Sequence, residues 1–197
     1  MPTLIAPAPE PTATGPRRKL WTRDECERLA EAGLLDWERY ELVEGELIDT
    51  MGKKSRHVNV LRSLVILLGE LFGAIHVYSE APIRVSGADD RGNEPEPDLV
   101  ILNRDFHTFQ FPPRPEDVLL LAEVSDSTLE FDLTVKARLY ARAGIEEYWV
   151  LDVQSRNLIV HREPVAGRYN SVASYGASES VTPLAAPDRV IHVAALF

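Results

Sequence analysis

Two near-continuous apolar segments constrain the fold of this chain more than any other feature. The first is Leu-Val-Ile-Leu at 99–102, directly after Asp98, and the second is Val-Leu-Leu-Leu-Ala-Glu-Val at 118–124. Apolar runs without polar alternation are typical of central strands that are covered on both faces. A helical pattern and a further apolar segment follow the second run, which indicates a strand–helix–strand unit over about residues 118–153.

Three helices are predicted to cover such a sheet. Thr22 to Glu25 has the pattern of a capping box, and Gly33 is a suitable helix stop. A second helix is predicted from its cap at Ser55 to Gly73, and a third from about Leu129 to Ala143. The apolar face of the second helix is expected to consist of residues three or four apart: Val58, Leu61, Val65, Leu68 and Phe72.

The remaining elements are shorter. Tyr40 to Asp49 has the pattern of a hairpin around Glu44-Gly45, whereas residues 163–197 carry only weak turn and strand signals. Further strands are predicted at residues 75–80, 83–85, 148–153 and 158–162. The predicted fold class is α+β with an α/β core, in which a mixed central sheet is flanked by helices and accompanied by an N-terminal helix and hairpin.

Length and composition limit the classes of protein. The chain has 197 residues, which suits one domain, and we assign residues 20–197 to it. Residues 1–19 are rich in Pro, Ala and Thr and are predicted to form a disordered tail. The net charge of −10 argues against a protein that coats nucleic acid with positive charge. The single cysteine, Cys26, excludes an intramolecular disulfide, no apolar run reaches membrane-spanning length, and a cytoplasmic location is expected.

Two acidic residues lie at the ends of the apolar segments. Asp98 opens the first strand and Glu123 stands near the end of the second, where a buried charge normally needs a partner or a metal ion. If the strands are neighbours, both carboxylates and the Val124 backbone carbonyl could bind one hard cation such as Mg²⁺. Alternatively, Asp98 caps a turn and Glu123 pairs with an arginine.

Lys136, on the predicted helix after the Glu123 strand, is the candidate cation of such a site. A lysine beside a metal ion can position the attacking water and offset charge that develops during phosphodiester cleavage. The competing interpretation is an exposed helix lysine that pairs with Asp132 one turn earlier. The residues alone leave both interpretations open.

Segments distributed along most of the chain carry a family resemblance. They are Tyr-Glu-Leu-Val-Glu-Gly-Glu-Leu-Ile at 40–48, His57 with its helix, Glu-Pro-Asp-Leu-Val-Ile-Leu at 96–102, Leu-Ala-Glu-Val-Ser at 121–125, Asp132, Lys136, Tyr140, and Ala-Gly-Ile-Glu-Glu-Tyr-Trp-Val-Leu-Asp at 143–152. In this order they resemble the Uma-type family of bacterial restriction endonucleases, within the PD-(D/E)XK nuclease superfamily. The resemblance spans about residues 22–170.

The resemblance implies roles for three residues. Pro97-Asp98 matches the PD element and Glu123 the second acid, whereas Ser125 occupies the usual position of the lysine. In this family the lysine has moved to the next helix, where Lys136 matches it. Leu133 departs from the arginine that relatives often carry there, which weakens a phosphate contact expected at that position.

Other residues have less certain roles. The resemblance implies that a hairpin acid joins the metal ligands, which makes Glu46 a candidate, although it could equally be a solvent-facing carboxylate. Glu44 is expected in the turn. His57, Lys54 and Arg56, beside Lys53, are candidates for phosphate binding; His57 could instead support a ligand of the metal site or have a structural role only. Further residues are assigned to a solvated loop (Asp89, Asp90, Glu94, Glu96) and to packing (Trp37, Tyr148, Trp149).

Three functions compete at this point. The first is an endonuclease that hydrolyses DNA with Mg²⁺, or Mn²⁺ as an alternative ion, and acts as a homodimer with two sites facing one duplex. The second is a nuclease-fold module with weak or no catalysis that binds nucleic acid or a protein partner. The third is a dimeric scaffold without a nucleic-acid role, which only the acidic pI favours.

Overall fold

The computed structural model describes residues 18–50, 52, 54–85 and 87–197. Most of the predicted tail, residues 1–17, and Lys53 lie outside the described residues. Arg18 and Lys19, at the end of that tail, are exposed and form ion pairs with Glu46 and Glu25. The division into a tail and one domain therefore stays a prediction.

The helices and strands lie close to the predicted positions. The helices are α1 (Arg23–Glu31), α2 (Ser55–Phe72), α3 (Leu129–Phe131) and α4 (Ala137–Ala143), with a π-helical turn (Asp132–Lys136) joining the last two. The strands are β1 (Tyr40–Val43), β2 (Glu46–Asp49), β3 (Val77–Ser79), β4 (Leu99–Leu102), β5 (Val118–Ser125), β6 (Glu147–Asp152), β7 (Asn157–Val165), β8 (Arg168–Tyr175), β9 (Ser180–Val181) and β10 (Ile191–His192). None of the helices in this described part is long and apolar enough to span a membrane.

A mixed six-stranded sheet forms the centre of the fold. Its strand order is β3-β4-β5-β6-β7-β8, with β5 and β6 parallel and the other neighbours antiparallel. The chain crosses from β5 to β6 through α3, the π-helical turn and α4. The predicted strand–helix–strand unit and the mixed sheet are therefore confirmed.

Both faces of the sheet are buried, as the apolar runs predict. On one face, Leu64 and Leu68 of α2 pack with Leu99, Leu120 and Trp149 of the sheet. The other face carries the second core cluster, which includes Val100, Leu121, Tyr148, Leu139 and Tyr140, all fully buried. Because side chains alternate along a strand, each central strand contributes to both clusters.

Several predicted details are wrong. Ile83–Val85 is not a strand, because its amides bond to loop carbonyls: those of Ile83 and Arg84 donate to Pro95 and Pro113. The buried face of α2 is rotated from the predicted one and consists of His57, Val60, Leu61, Leu64 and Leu68. Lys54, not Ser55, occupies the N-cap of α2. Strand β8 lies in the C-terminal segment, where turns and short strands are predicted.

The hairpin β1–β2 turns through two residues. Glu44 and Gly45 both have positive φ, 54° and 78°, as a type I′ turn requires. Gly45 has a second constraint, since a Cβ atom there would lie 2.8 Å from the Cβ of Leu20. The turn position predicted for Glu44 is confirmed.

We expect Gly45→Ala to destabilise the fold by roughly 2–4 kcal/mol, because it adds overpacking to backbone strain. Gly33→Ala is the matched control: Gly33 also has positive φ, 70°, but nothing lies within 4 Å of its Cβ position. This control should lose only about 1 kcal/mol. Urea unfolding of the two variants measures the difference, and equal losses would contradict a role for the close approach.

Candidate active site

Asp98 and Glu123 lie side by side at one end of β4 and β5. In the antiparallel register Leu99 pairs with Ala122, so one further step on each strand places Asp98 opposite Glu123. Directly opposed residues point to the same face of a sheet with Cβ atoms about 4.5–5.5 Å apart. The strands are neighbours as the sequence hypothesis required, and both acids face the helical crossover.

Glu123 is held on one of its two oxygens. Lys136 Nζ and the Tyr140 hydroxyl both donate to Glu123 Oε1 at 2.9 Å. Burial raises the pKa of Glu123 well above its ordinary value, and the Asp132 and Asp98 carboxylates add to this, although Lys136 opposes it. These two contacts fix the carboxylate and leave the other oxygen, Oε2, without a contact from either donor.

Lys136 lies in the interior between two acids. Its Nζ is 2.9 Å from Glu123 Oε1 and 3.0 Å from Glu41 Oε2, and its side chain is only 5% exposed. Burial alone would lower the pKa of Lys136, but the Glu123 and Glu41 carboxylates outweigh burial and raise the pKa well above the usual value. The lysine therefore stays charged, and the interpretation as an exposed helix lysine paired with Asp132 is wrong.

The π-helical turn carries both Asp132 and Lys136. Asp132 Oδ2 accepts from the Ser125 and Thr128 hydroxyls, each at 2.6 Å, so the start of the turn is fixed to the end of β5. Burial raises the pKa of Asp132, which these hydrogen bonds and Lys136 oppose. Ser125 and Glu123 are two residues apart on β5, so they share a face. Ser125, which the family resemblance places at the usual lysine position, therefore anchors the turn that carries Lys136.

Asp98 has contacts from two directions. The backbone N–H of Val124 donates to Asp98 Oδ2 at 2.8 Å, and His57 Nε2 lies 3.1 Å from Asp98 Oδ1. His57 is on the buried face of α2 and is 8% exposed. The structure thus places His57 against the Asp98 carboxylate, although the sequence had made it a candidate for phosphate binding.

The hairpin acid at the site is Glu41, not Glu46. Glu46 is about half exposed and pairs with Arg18 at 3.1 Å, away from the cleft. Glu41 is buried, contacts Lys136, and accepts from the backbone N–H of Glu96 at 3.1 Å. Sequence reasoning missed Glu41, and alternation could not have found it: Val43 pairs with Glu46, so Glu41 and Glu46 share one face of the hairpin.

A cleft with a volume of about 220 Å³ is lined by Glu41, Asp98, Glu123, Asp132 and Lys136, among other residues. Val124 also lines it, at the same end of β5 as the two acids. The cleft has eight acidic residues in its walls: Glu41, Asp49, Glu80, Glu96, Asp98, Glu123, Asp126 and Asp132. Among the described residues of its lining, the basic side chains are those of Lys54, His57 and Lys136. This excess of carboxylates favours a bound cation.

The donor set fits Mg²⁺. Among the described residues there is no group of three or more His, Cys, Asp or Glu that could hold a metal ion. Mg²⁺ does not require one, because it keeps several waters and commonly uses one or two carboxylates. Asp98 and Glu123 supply two hard oxygen donors on adjacent strands, so the residues present fit this ion.

Asp126, which follows Ser125, connects the cleft to the start of α2. It is buried, and neither carboxylate oxygen has a hydrogen-bond partner among the described residues. Lys54 Nζ and Arg56 Nη2 approach it at 3.7 and 3.6 Å, while their own side chains are 62% and 67% exposed. Lys54 lines the cleft, whereas Arg56 lies outside its lining.

The acidic loop before Asp98 is less solvated than predicted. Asp90 and Glu94 are partly buried and form ion pairs with Arg23, and Asp89 pairs with Arg142. Glu96 lines the cleft. Tyr148 and Trp149 are fully buried, which confirms their assignment to packing.

The site lies in a mixed six-stranded sheet flanked by helices, with Asp98 and Glu123 at the ends of adjacent strands and Lys136 against Glu123. A putative nuclease of the DUF820 family from Anabaena variabilis has a similar structure, with a TM-score of 0.61 at 15% identity, over 89% of this chain and 97% of that chain. The family model described as "Putative restriction endonuclease", Uma2, matches residues 23–194, and the chain belongs to this family. No curated protein matches the chain. The family resemblance and the fold class are confirmed.

We expect Lys136→Met to destabilise the fold by about 3–5 kcal/mol, because it leaves Glu41 and Glu123 buried without their cation. Combining it with Glu41→Gln should recover part of the loss, since one of the two buried charges is then removed. Arg138→Met, an exposed change on the same helix, is the control and should stay within about 0.5 kcal/mol. Denaturant unfolding at neutral pH measures all three; a mild Lys136→Met variant would contradict the buried-cation interpretation.

Proposed function

We propose that this protein is a divalent-metal-dependent endonuclease that hydrolyses phosphodiester bonds in DNA. The observation that supports it best is the convergence of Asp98, Glu123 and Lys136 in one acidic cleft at the end of β4 and β5. Family membership agrees with a nuclease. Mg²⁺ is the proposed ion and Mn²⁺ an alternative with the same preference for oxygen ligands.

In this proposal Asp98 and Glu123 hold the metal ion, together with the Val124 backbone carbonyl. Hydrogen bonds from Val124 and the contact with His57 orient Asp98, while Lys136 and Tyr140 fix Glu123 through its Oε1. The chemistry that Mg²⁺ supplies when bound is polarisation of a phosphoryl oxygen, activation of a water and stabilisation of the leaving oxygen. Because Asp98 and Glu123 are carboxylates, they favour binding of a cation at the site.

Lys136 acts as a charged hydrogen-bond donor in this mechanism. Its pKa is raised by Glu123 and Glu41, so at neutral pH it holds its proton and cannot serve as a general base. Its ammonium group can donate to the attacking water and offset negative charge at the phosphorus centre. Glu41 also holds that ammonium group, through a contact of 3.0 Å.

The non-catalytic alternatives receive less support. Lys136 points toward Glu123 and not away from it. A module that only binds nucleic acid or protein does not need a buried lysine against a metal-binding carboxylate. A dimeric scaffold would need neither acid. The cleavage assay below distinguishes the endonuclease from the two non-catalytic alternatives. A cytoplasmic location remains part of the proposal.

Purified protein with Mg²⁺ or Mn²⁺ is expected to nick supercoiled plasmid. Asp98→Asn and Glu123→Gln should abolish nicking because each removes a metal-binding carboxylate, and Lys136→Met should slow it by about 10²–10³-fold, as for loss of one transition-state donor. Calorimetric titration with Mn²⁺ should show weaker binding for Asp98→Asn.

Glu46→Gln is the matched control for Glu41→Gln, because both remove one hairpin carboxylate. Glu46→Gln should leave nicking unchanged, whereas Glu41→Gln should lower it by loosening Lys136. A wild-type protein that binds Mn²⁺ through Asp98 and yet cuts no DNA would favour the non-catalytic module. Equal activity of all variants would point to a contaminating nuclease and remove the proposal.

We propose further that the protein acts as a homodimer whose two sites face one duplex. Light scattering coupled to size-exclusion chromatography should then give twice the chain mass, 22.0 kDa for each copy. Plasmid cleavage should yield linear DNA early, because both strands are cut in one encounter. A monomer that accumulates only nicked circles would contradict the dimer and leave the single-site chemistry intact.

A further inference from the structure

The first half of α2 carries positive charge in an otherwise acidic protein. Residues 54–69 contain Lys54, Arg56 and Arg62 and no Asp or Glu, whereas the chain as a whole has a net charge of −10. Within this segment, Arg56, Asn59 and Arg62 are exposed. With the exposed Lys54 they form one surface, which we call the α2 cationic face.

The α2 cationic face begins at the mouth of the cleft. Lys54 lines the cleft, and the buried Asp126 carboxylate lies beside both Lys54 and Arg56 at 3.7 and 3.6 Å. One residue further, His57 reaches Asp98 inside the site. The same helical turn therefore contacts the catalytic carboxylate on its buried side and presents cations on its exposed side.

The face continues away from the cleft along a rigid helix. Arg56, Asn59 and Arg62 follow one another at steps of three residues, and each step turns the direction by about 60°, so the three occupy a sector of about 120° around α2. Arg56 to Arg62 spans about 9 Å at about 1.5 Å per residue. The opposite side of the helix is fixed to the sheet by Leu61, Leu64 and Leu68. Two exposed cations and an amide on such a fixed support can contact phosphates of a nucleic-acid backbone.

We propose that the α2 cationic face binds the phosphate backbone of duplex DNA and leads it into the cleft. This inference rests on the proposed function and names a contact surface for its substrate. It explains how DNA can approach a cleft walled by carboxylates: the cations lie outside the metal-binding acids, with Arg62 about two turns beyond the cleft mouth.

The test measures binding of a labelled DNA duplex by fluorescence anisotropy in EDTA, so that no cleavage takes place. Affinity is recorded over a range of salt concentrations for wild type, for Arg56→Gln/Arg62→Gln and for Arg168→Gln/Arg189→Gln. The last variant is the control, because it removes the same charge from two exposed arginines outside the cleft lining. All four positions are on the surface, and a thermal melt checks that each variant is folded.

The Arg56→Gln/Arg62→Gln variant should bind more weakly at every salt concentration. Its slope of log affinity against log salt should be shallower by about 2, one for each lost phosphate contact, while the control keeps the wild-type slope. Equal slopes for the two variants, or no duplex binding by wild type at low salt, would overturn the inference. Plasmid nicking that depends on Asp98 tests the proposed function separately, so the two can fail independently.

Discussion

The buried Lys136 ammonium group is the interaction on which the rest of the site depends. A charge in the interior is tolerated only when other groups compensate it, and here Glu123 and Glu41 do so at 2.9 and 3.0 Å. Those two acids belong to different parts of the fold, the central strand β5 and the N-terminal hairpin, and the lysine belongs to the crossover helix. One ammonium group thus determines how three elements are positioned around the cleft, and displacing any of them leaves a buried charge uncompensated.

The π-helical turn explains how a helix can replace a strand as the source of this lysine. A π turn accommodates one extra residue within a helix and changes the direction of the side chains that follow, and such turns are frequent at functional sites. Here Asp132 fixes the start of the turn to Ser125 and Thr128, and Lys136 ends it. Ser125, which the family resemblance places at the usual lysine position, therefore supports through its hydroxyl the segment from which Lys136 reaches Glu123.

Sequence reasoning found the parts of the fold and site that depend on local pattern. The apolar runs around Asp98 and Glu123 predicted central strands correctly, because burial on both faces leaves a continuous hydrophobic signal. Glu41 was missed, since the choice between it and Glu46 depends on which end of the hairpin faces the helix. The π turn left no pattern in residues 129–143, and strand β8 carries too little apolar alternation to be distinguished from a loop. Family resemblance favoured Lys136 as a site residue over an exposed helix lysine. Only the tertiary contacts with Glu41 and Glu123 explain why its buried ammonium group stays charged.

Net charge describes the surface of this protein poorly, because acidic and basic residues occupy separate places. Eight acidic residues line the cleft, whereas the charged residues of the segment 54–69, which covers most of α2, are all basic. An approaching backbone encounters the field of the nearest groups, since salt screens charges beyond about 8–10 Å at physiological ionic strength. A chain with an acidic net charge can therefore present a local cationic surface along one helix. Asp126 joins the two regions: it is an acid of the cleft wall, and its nearest basic neighbours, Lys54 and Arg56, belong to the helix.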